Sequence, residues 1–184
     1  MVCALLKRER WKFMIQIYYG DGKGKTTAAI GQAIRAAGAG MLVTMVQFLK
    51  GSPTAELEVL SRIPEITVLR NELDLGFTNQ MSEKEKEQAL MMHNVNLLTA
   101  IDMINQKKCD VLILDELLTT YDLGLVDRNM VHTLLEMRPK DLEIILTGHK
   151  EVSYFTEQAD YITNMKKEKH PFDKGISARR GIEY

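Results

Sequence analysis

Apolar residues along the chain fall into two alternating patterns, short uninterrupted runs and longer stretches with helical spacing. The runs lie near residues 13–19, 41–49, 66–69, 111–114, 143–147 and 161–163. Uniformly apolar rather than alternating, they suit strands covered on both faces. Between them, helical patterns run from 24 to 37, 54 to 62, 82 to 104, 127 to 137 and 152 to 158. Strand-helix alternation of this kind predicts an α/β fold with a mostly parallel central sheet flanked by helices.

The stop signals agree with these boundaries. Gly38 and Gly40 end the first helix, as glycine commonly does at a helix C-terminus, Pro64 stops the second, and Arg138-Pro139 breaks the fourth. Ser82 and Glu85 have the spacing of a capping box that opens the longest helix, and Asp127 is placed to cap the next. On the long helix, Leu90, Met91, Val95, Leu98, Ile101, Met103 and Ile104 are expected to pack on the sheet.

The first strand ends in Gly20-Asp21-Gly22-Lys23-Gly24-Lys25-Thr26-Thr27. Its glycines permit a backbone that turns successive N–H groups toward one anion, and the alanine-rich helix that follows presents its positive N-terminal end. That dipole favours negative charge by about 0.3–1 kcal/mol, up to about 2 when partly buried. Lys25 adds a full charge and Thr26 a hydroxyl suited to Mg²⁺. The loop is off pattern in one respect. In G-x-x-x-x-G-K-[ST] a glycine stands five positions before the last one, but here Tyr19 holds that place and the first glycine comes one residue late, at Gly20. Gly22 and Lys23 make it a tighter and more basic variant. Strand, loop and helix together predict a P-loop NTPase, RecA-like fold.

A second signal is Val111-Leu112-Ile113-Leu114-Asp115-Glu116, an aliphatic strand ending in two acids. In a parallel sheet those acids reach the same edge as the phosphate loop, where one of them can hold Mg²⁺ directly or through water. Lys50-Gly51-Ser52-Pro53 leaves another strand at that edge, placed to touch substrate. His93 has no ligand partner at i+4, and His149 reads as a polar loop residue.

The remaining composition narrows the function. Length 184 is enough for one α/β domain, residues 13–184, behind a basic arm at 1–12, with about 70% of the unfolded surface buried. A net charge of −1 argues against a general nucleic-acid or membrane-surface binder. Cys3 and Cys109 form no disulfide or zinc pattern, which fits a cytoplasmic protein, and no run approaches the ~20 apolar residues of a membrane span. Cys109 reads as a core thiol.

Taken in order, Gly20–Thr27, Val46-Gln47-Phe48-Leu49-Lys50-Gly51, Gly76-Phe77-Thr78, Leu114-Asp115-Glu116-Leu117, Lys169-His170-Pro171-Phe172-Asp173-Lys174-Gly175-Ile176 and Gly181-Ile182-Glu183-Tyr184 resemble the P-loop type of ATP:corrinoid adenosyltransferase, the cob(I)yrinic acid a,c-diamide adenosyltransferase family. The resemblance covers about 12–184. It implies an enzyme of cobalamin biosynthesis that moves the 5′-deoxyadenosyl group of ATP to Co(I) of a reduced corrinoid and releases triphosphate. With Co(I) as nucleophile, no catalytic Ser, Cys or His is required. By resemblance, Gly20, Asp21, Gly22, Lys23, Gly24, Lys25, Thr26 and Thr27 bind the phosphates, with Gly22, Gly24, Lys25, Thr26 and Thr27 as donors. Thr26 and Glu116 are implied Mg²⁺ ligands with Asp115 in support, and Lys25, Thr26 and Glu116 carry the catalytic role. Phe77 and Asn79 face the corrinoid, Asn79 standing where the family has a Trp, and His149 where an arginine is often found. A homodimer, supplied by an electron-donor reductase, is also implied. Two other readings compete: a P-loop ATPase or phosphotransferase, and a nucleotide- and corrinoid-binding protein that has lost transfer.

Overall fold

The apolar runs become neighbouring strands of one sheet. The computed structural model describes residues 13–71 and 81–184; the expected basic arm, Phe77 and Asn79 lie outside the described residues. In chain order the elements are β1 (Ile15–Tyr19), α1 (Lys25–Gly38), β2 (Val43–Gln47), α2 (Glu56–Leu60), β3 (Ile66–Arg70), α3 (Glu83–Asn105), β4 (Val111–Asp115), α4 (Leu117–Asp122), α5 (Arg128–Met137), β5 (Glu143–Gly148), α6 (Ser153–Thr156) and β6 (Tyr161–Asn164). A 3-10 turn follows at Pro171–Lys174.

Among the described residues the strands form a six-stranded sheet in the order β3-β2-β4-β5-β1-β6, every pairing parallel. Placing β5 between the phosphate-loop strand β1 and the acidic strand β4 matches the expected RecA-like P-loop fold. Adjacent residues of a strand serve opposite layers, which is why the runs do not alternate in polarity. Val111 and Ile113 join Ala29, Ala33, Ala36 and Ala37 of α1 on one face, whereas Leu112 and Leu114 join Leu97 of α3, Leu135 of α5 and Phe155 of α6 on the other. Each fully buried leucine contributes about 1.5–3 kcal/mol.

The caps form as expected. Ser82 and Glu85 make the reciprocal capping box of α3, and Asp127 accepts from the backbone N–H groups of Asn129 and Met130 at the start of α5. The α3 packing face agrees with expectation in part. Ala89, His93, Leu97, Ala100 and Ile104 are buried, while Met91, Val95 and Leu98 are exposed. Ile104 is buried and Ile101 and Met103 pack against the core as expected, while the small side chains of Ala89 and Ala100 let the helix approach the sheet closely. Helix α4, directly behind the paired acids, was not anticipated. It begins because Glu116 adopts a left-handed backbone, φ 64°, and Leu117 and Leu118 then turn into the core.

Register aligns the C-terminal strand ends along one edge. Gln47 lies beside Asp115 and Arg70, and Tyr19 beside Gly148 and Asn164. The turns that leave this edge carry the candidate chemistry, as parallel sheets generally arrange it.

Candidate active site

The loop between β1 and α1 is shaped by what crosses above it. The backbone N–H of Gly22 donates to the Met165 carbonyl oxygen at 2.7 Å, and a Cβ on Gly22 would stand 2.5 Å from that oxygen. Glycine is therefore required by the close approach of the segment after β6. The Gly22 N–H, a phosphate donor by expectation, is engaged in that contact here, so Gly22 shapes the loop. Asp21 braces the same crossing by accepting from the Lys167 N–H at 2.9 Å, which holds its carboxyl below the usual carboxylate range. Gly24 takes φ 115° to enter α1, and the Lys25 ammonium donates to the Gly22 carbonyl oxygen at 2.9 Å across the loop.

Thr26, in the first turn of α1, reaches the end of β4. Its hydroxyl donates to Asp115 Oδ1 at 3.0 Å, with Oδ2 at 3.3 Å. Asp115 is fully buried, so its carboxylate needs partners, and two more residues supply them. Thr147, at the end of β5, donates its hydroxyl to Oδ1 at 2.7 Å, and the Lys50 ammonium lies 2.6 Å from Oδ2 and 3.0 Å from Thr26 Oγ1. Glu116 points elsewhere: its N–H donates to Thr147 Oγ1 at 2.8 Å and its carboxylate accepts from Thr119 Oγ1 at 2.8 Å. Thr119 in turn accepts from the His149 N–H at 3.0 Å, leaving the imidazole exposed. Asp115 is thus the acid that touches Thr26, with Glu116 one step beyond.

Lys50 is aimed by its backbone. Leu49 before it has φ 56°, a costly conformation for a leucine, and the Phe48 N–H donates to the Asp115 carbonyl oxygen at 3.0 Å. Arg70 fixes the loop from the outside, donating to the carbonyl oxygens of Lys50 at 3.2 Å and Ser52 at 2.6 Å and to Gln47 Oε1 at 3.3 Å. Behind Leu49, His93 Nε2 accepts weakly from its N–H at 3.4 Å while Nδ1 pairs with the Leu125 carbonyl oxygen at 2.8 Å. Burial lowers the His93 pKa, which favours the neutral ring.

Of these residues Thr26, Leu49, Lys50 and Ser52 border a cleft of about 670 Å³, within the range of small-molecule sites. Thr26, Thr27 and Ile30 of α1 form one wall, Leu49–Ser52 and the start of α2 another, and Gly181–Tyr184 close the third. The C-terminal tetrapeptide, distant in sequence, therefore meets the phosphate loop. Lys50 was recognised in sequence as a loop residue near substrate. The parts of Thr147, Thr119 and Arg70 were missed, although a hydroxyl ending an apolar strand, as Thr147 does, is the same kind of signal as Asp115. Cys109 is buried, and burial raises its thiol pKa, as fits a core residue.

The chain as a whole is similar to known proteins. The family model described as ATP:corrinoid adenosyltransferase BtuR/CobO/CobP matches residues 12–184. The corrinoid adenosyltransferase of Pseudomonas aeruginosa is 30% identical over 172 residues, covering 93% of this chain and 83% of the relative. Corrinoid adenosyltransferase CobA of Salmonella typhimurium is 33% identical over 180 residues, covering 93% of this chain and 85% of the relative. The corrinoid adenosyltransferase of Escherichia coli is also 33% identical, with the same coverage.

Proposed function

The chain belongs to the ATP:corrinoid adenosyltransferase family, enzymes of ATP-dependent adenosyl transfer, and on that premise we propose that its cleft joins the 5′-deoxyadenosyl group of ATP to Co(I) of a reduced corrinoid. The observation that carries the reading is the meeting of Thr26 with buried Asp115 at a cleft bordered by the phosphate-loop helix and Gly181–Tyr184. The corrinoid's Co(I) supplies the electron pair that forms the Co–C bond. The bond from the ribose 5′ carbon to the α-phosphate oxygen breaks, and triphosphate leaves with its pair. No protein nucleophile or proton transfer is needed, so the protein's part is positioning and charge compensation.

Lys25 and the N-terminal turn of α1 bind the phosphates, and Thr27 borders the same cleft. Thr26, Asp115 and Glu116 are the residues proposed to hold Mg²⁺, which when bound neutralises the triphosphate. A hydroxyl and two carboxylates suit that hard cation. Among the described residues no cluster of three or more His, Cys, Asp or Glu offers a metal cage by itself. Mg²⁺ does not require one, because it ordinarily takes one or two carboxylates and draws other ligands from phosphates and water.

Phe77 and Asn79 are proposed to meet the corrinoid, on the strength of the family resemblance. The same resemblance supports a homodimer whose corrinoid is reduced by a separate electron-donor reductase, and the cysteine usage a cytoplasmic location. Among the described residues no helix is long and apolar enough to cross a membrane. The test is to incubate the protein with Mg-ATP and chemically reduced corrinoid and follow the light-sensitive adenosyl product. Product formation that Lys25→Ala abolishes supports the reading, and no product with any corrinoid tried refutes it.

A further inference from the structure

The ammonium of Lys50 occupies the ground that a divalent cation would need. It lies 2.6 Å from Asp115 Oδ2 and 3.0 Å from Thr26 Oγ1, bridging two of the oxygens assigned above to Mg²⁺. Asp115 is fully buried, and a buried carboxylate without a nearby cation is strongly destabilising. Before nucleotide arrives, Lys50 provides that cation. Mg²⁺ bonds to oxygen at about 2.0–2.1 Å, so the ion and an ammonium in this position cannot share the same pair of oxygens.

We infer that Lys50 is a displaceable counter-ion: it fills the divalent-cation position in the nucleotide-free protein and moves its ammonium onto the triphosphate when the cation enters with ATP. This inference rests on the Mg²⁺ reading above. The surrounding structure separates a fixed base from a movable tip. Arg70 grips the Lys50 and Ser52 carbonyl oxygens, and Leu49 at φ 56° sets the direction of the chain. The side chain itself is 24% exposed and borders the cleft, so a four-carbon stem can carry the charge inward while the backbone stays in place. Lys25 is anchored on the Gly22 carbonyl oxygen within the phosphate loop, whereas Lys50 comes from the β2–α2 side. The departing triphosphate would thus be met by cations from two sides, one of them released only when the metal is in place. Coupling metal entry to release of the lysine makes the full positive charge of the cleft available only to metal-loaded nucleotide.

The experiment is a paired binding measurement on wild-type protein and Lys50→Met, which keeps the length of the stem and removes the charge. Mn²⁺ serves as a paramagnetic stand-in for Mg²⁺ and is titrated without nucleotide; inorganic triphosphate is then titrated at saturating Mg²⁺. The expected result is a pair of opposite shifts, with nucleotide-free Mn²⁺ binding at least tenfold tighter in K50M and triphosphate binding at least tenfold weaker. A residue that only supported the loop would weaken both. Lys50→Gln, which keeps a polar group, should show both shifts in the same directions and serves if K50M does not fold. Unchanged or weaker nucleotide-free Mn²⁺ binding in the folded variant, while wild type binds Mn²⁺ with ATP, overturns the role of Lys50 alone. Failure of wild type to bind Mn²⁺ even with ATP overturns the metal reading and this inference with it.

Discussion

Thr147→Val isolates the hydrogen bonding beneath the site, because valine keeps the shape of threonine and removes only the hydroxyl. That hydroxyl donates to Asp115 Oδ1 at 2.7 Å and accepts from the Glu116 N–H at 2.8 Å. Thr147 and Asp115 are both fully buried, so water does not readily replace what is lost. A hydrogen bond to a charged group contributes about 1.5–3 kcal/mol, and a donor left without a partner costs about 1–3 kcal/mol. The sum is about 2.5–6 kcal/mol, with little cavity cost. At about 2–4 °C per kcal/mol for a chain of this size, the melting temperature should fall on the order of 10 °C. Thermal unfolding followed by circular dichroism without nucleotide measures the loss, and Thr147→Ser, which restores the hydroxyl, should recover most of it. A T147V stability within about 0.5 kcal/mol of wild type, well inside the range of neutral surface substitutions, would refute the reasoning.

Two other substitutions probe the surroundings. Gly22→Ala places a Cβ 2.5 Å from the Met165 carbonyl oxygen and 2.9 Å from the Lys166 carbonyl carbon, both backbone atoms. The crossing must therefore shift, at about 1–3 kcal/mol, and ATP affinity measured by calorimetry should drop at least tenfold; wild-type affinity in G22A would contradict the close approach. His93 tests the pH dependence. Burial lowers its folded pKa below the unfolded value, so the unfolded chain takes up the proton first as pH falls. The stabilising contribution of the neutral ring is complete above about pH 6.5 and is lost as pH falls from there through the folded pKa. Urea unfolding at pH 7.5 and 5.5 should show a smaller drop for His93→Asn than for wild type, and equal drops would dismiss the buried neutral ring.

The phosphate loop and Asp115 were legible in the sequence because each is a local pattern: glycines at a strand end, and an acid closing an aliphatic run. What joins them was not, because Lys50, Asp115 and Thr147 come together only through strand order. The off-pattern glycines have their physical reason in the Met165 crossing, since a Cβ on either Gly20 or Gly22 would stand 2.5 Å from the Met165 carbonyl oxygen. On α3 the expected Ile101, Met103 and Ile104 do pack on the core, but Met91, Val95 and Leu98 are exposed and Ala89, His93 and Ala100 are buried, since close packing selects for size as well as polarity. The sequence places Glu116 beside Thr26 as an equally direct metal ligand. Its left-handed backbone starts α4 and its carboxylate accepts from Thr119, so it stands one step behind Asp115, a consequence of conformation that residue type alone does not reveal.

The identity of the phosphate product tests the central claim most directly. The protein is incubated with Mg-ATP and chemically reduced corrinoid in the dark, and phosphorus NMR of the quenched mixture is compared with the amount of light-sensitive corrinoid formed. Adenosyl transfer from the ribose carbon predicts one inorganic triphosphate for each adenosylated corrinoid, and no ADP. ADP with orthophosphate, produced without the light-sensitive product, would contradict it.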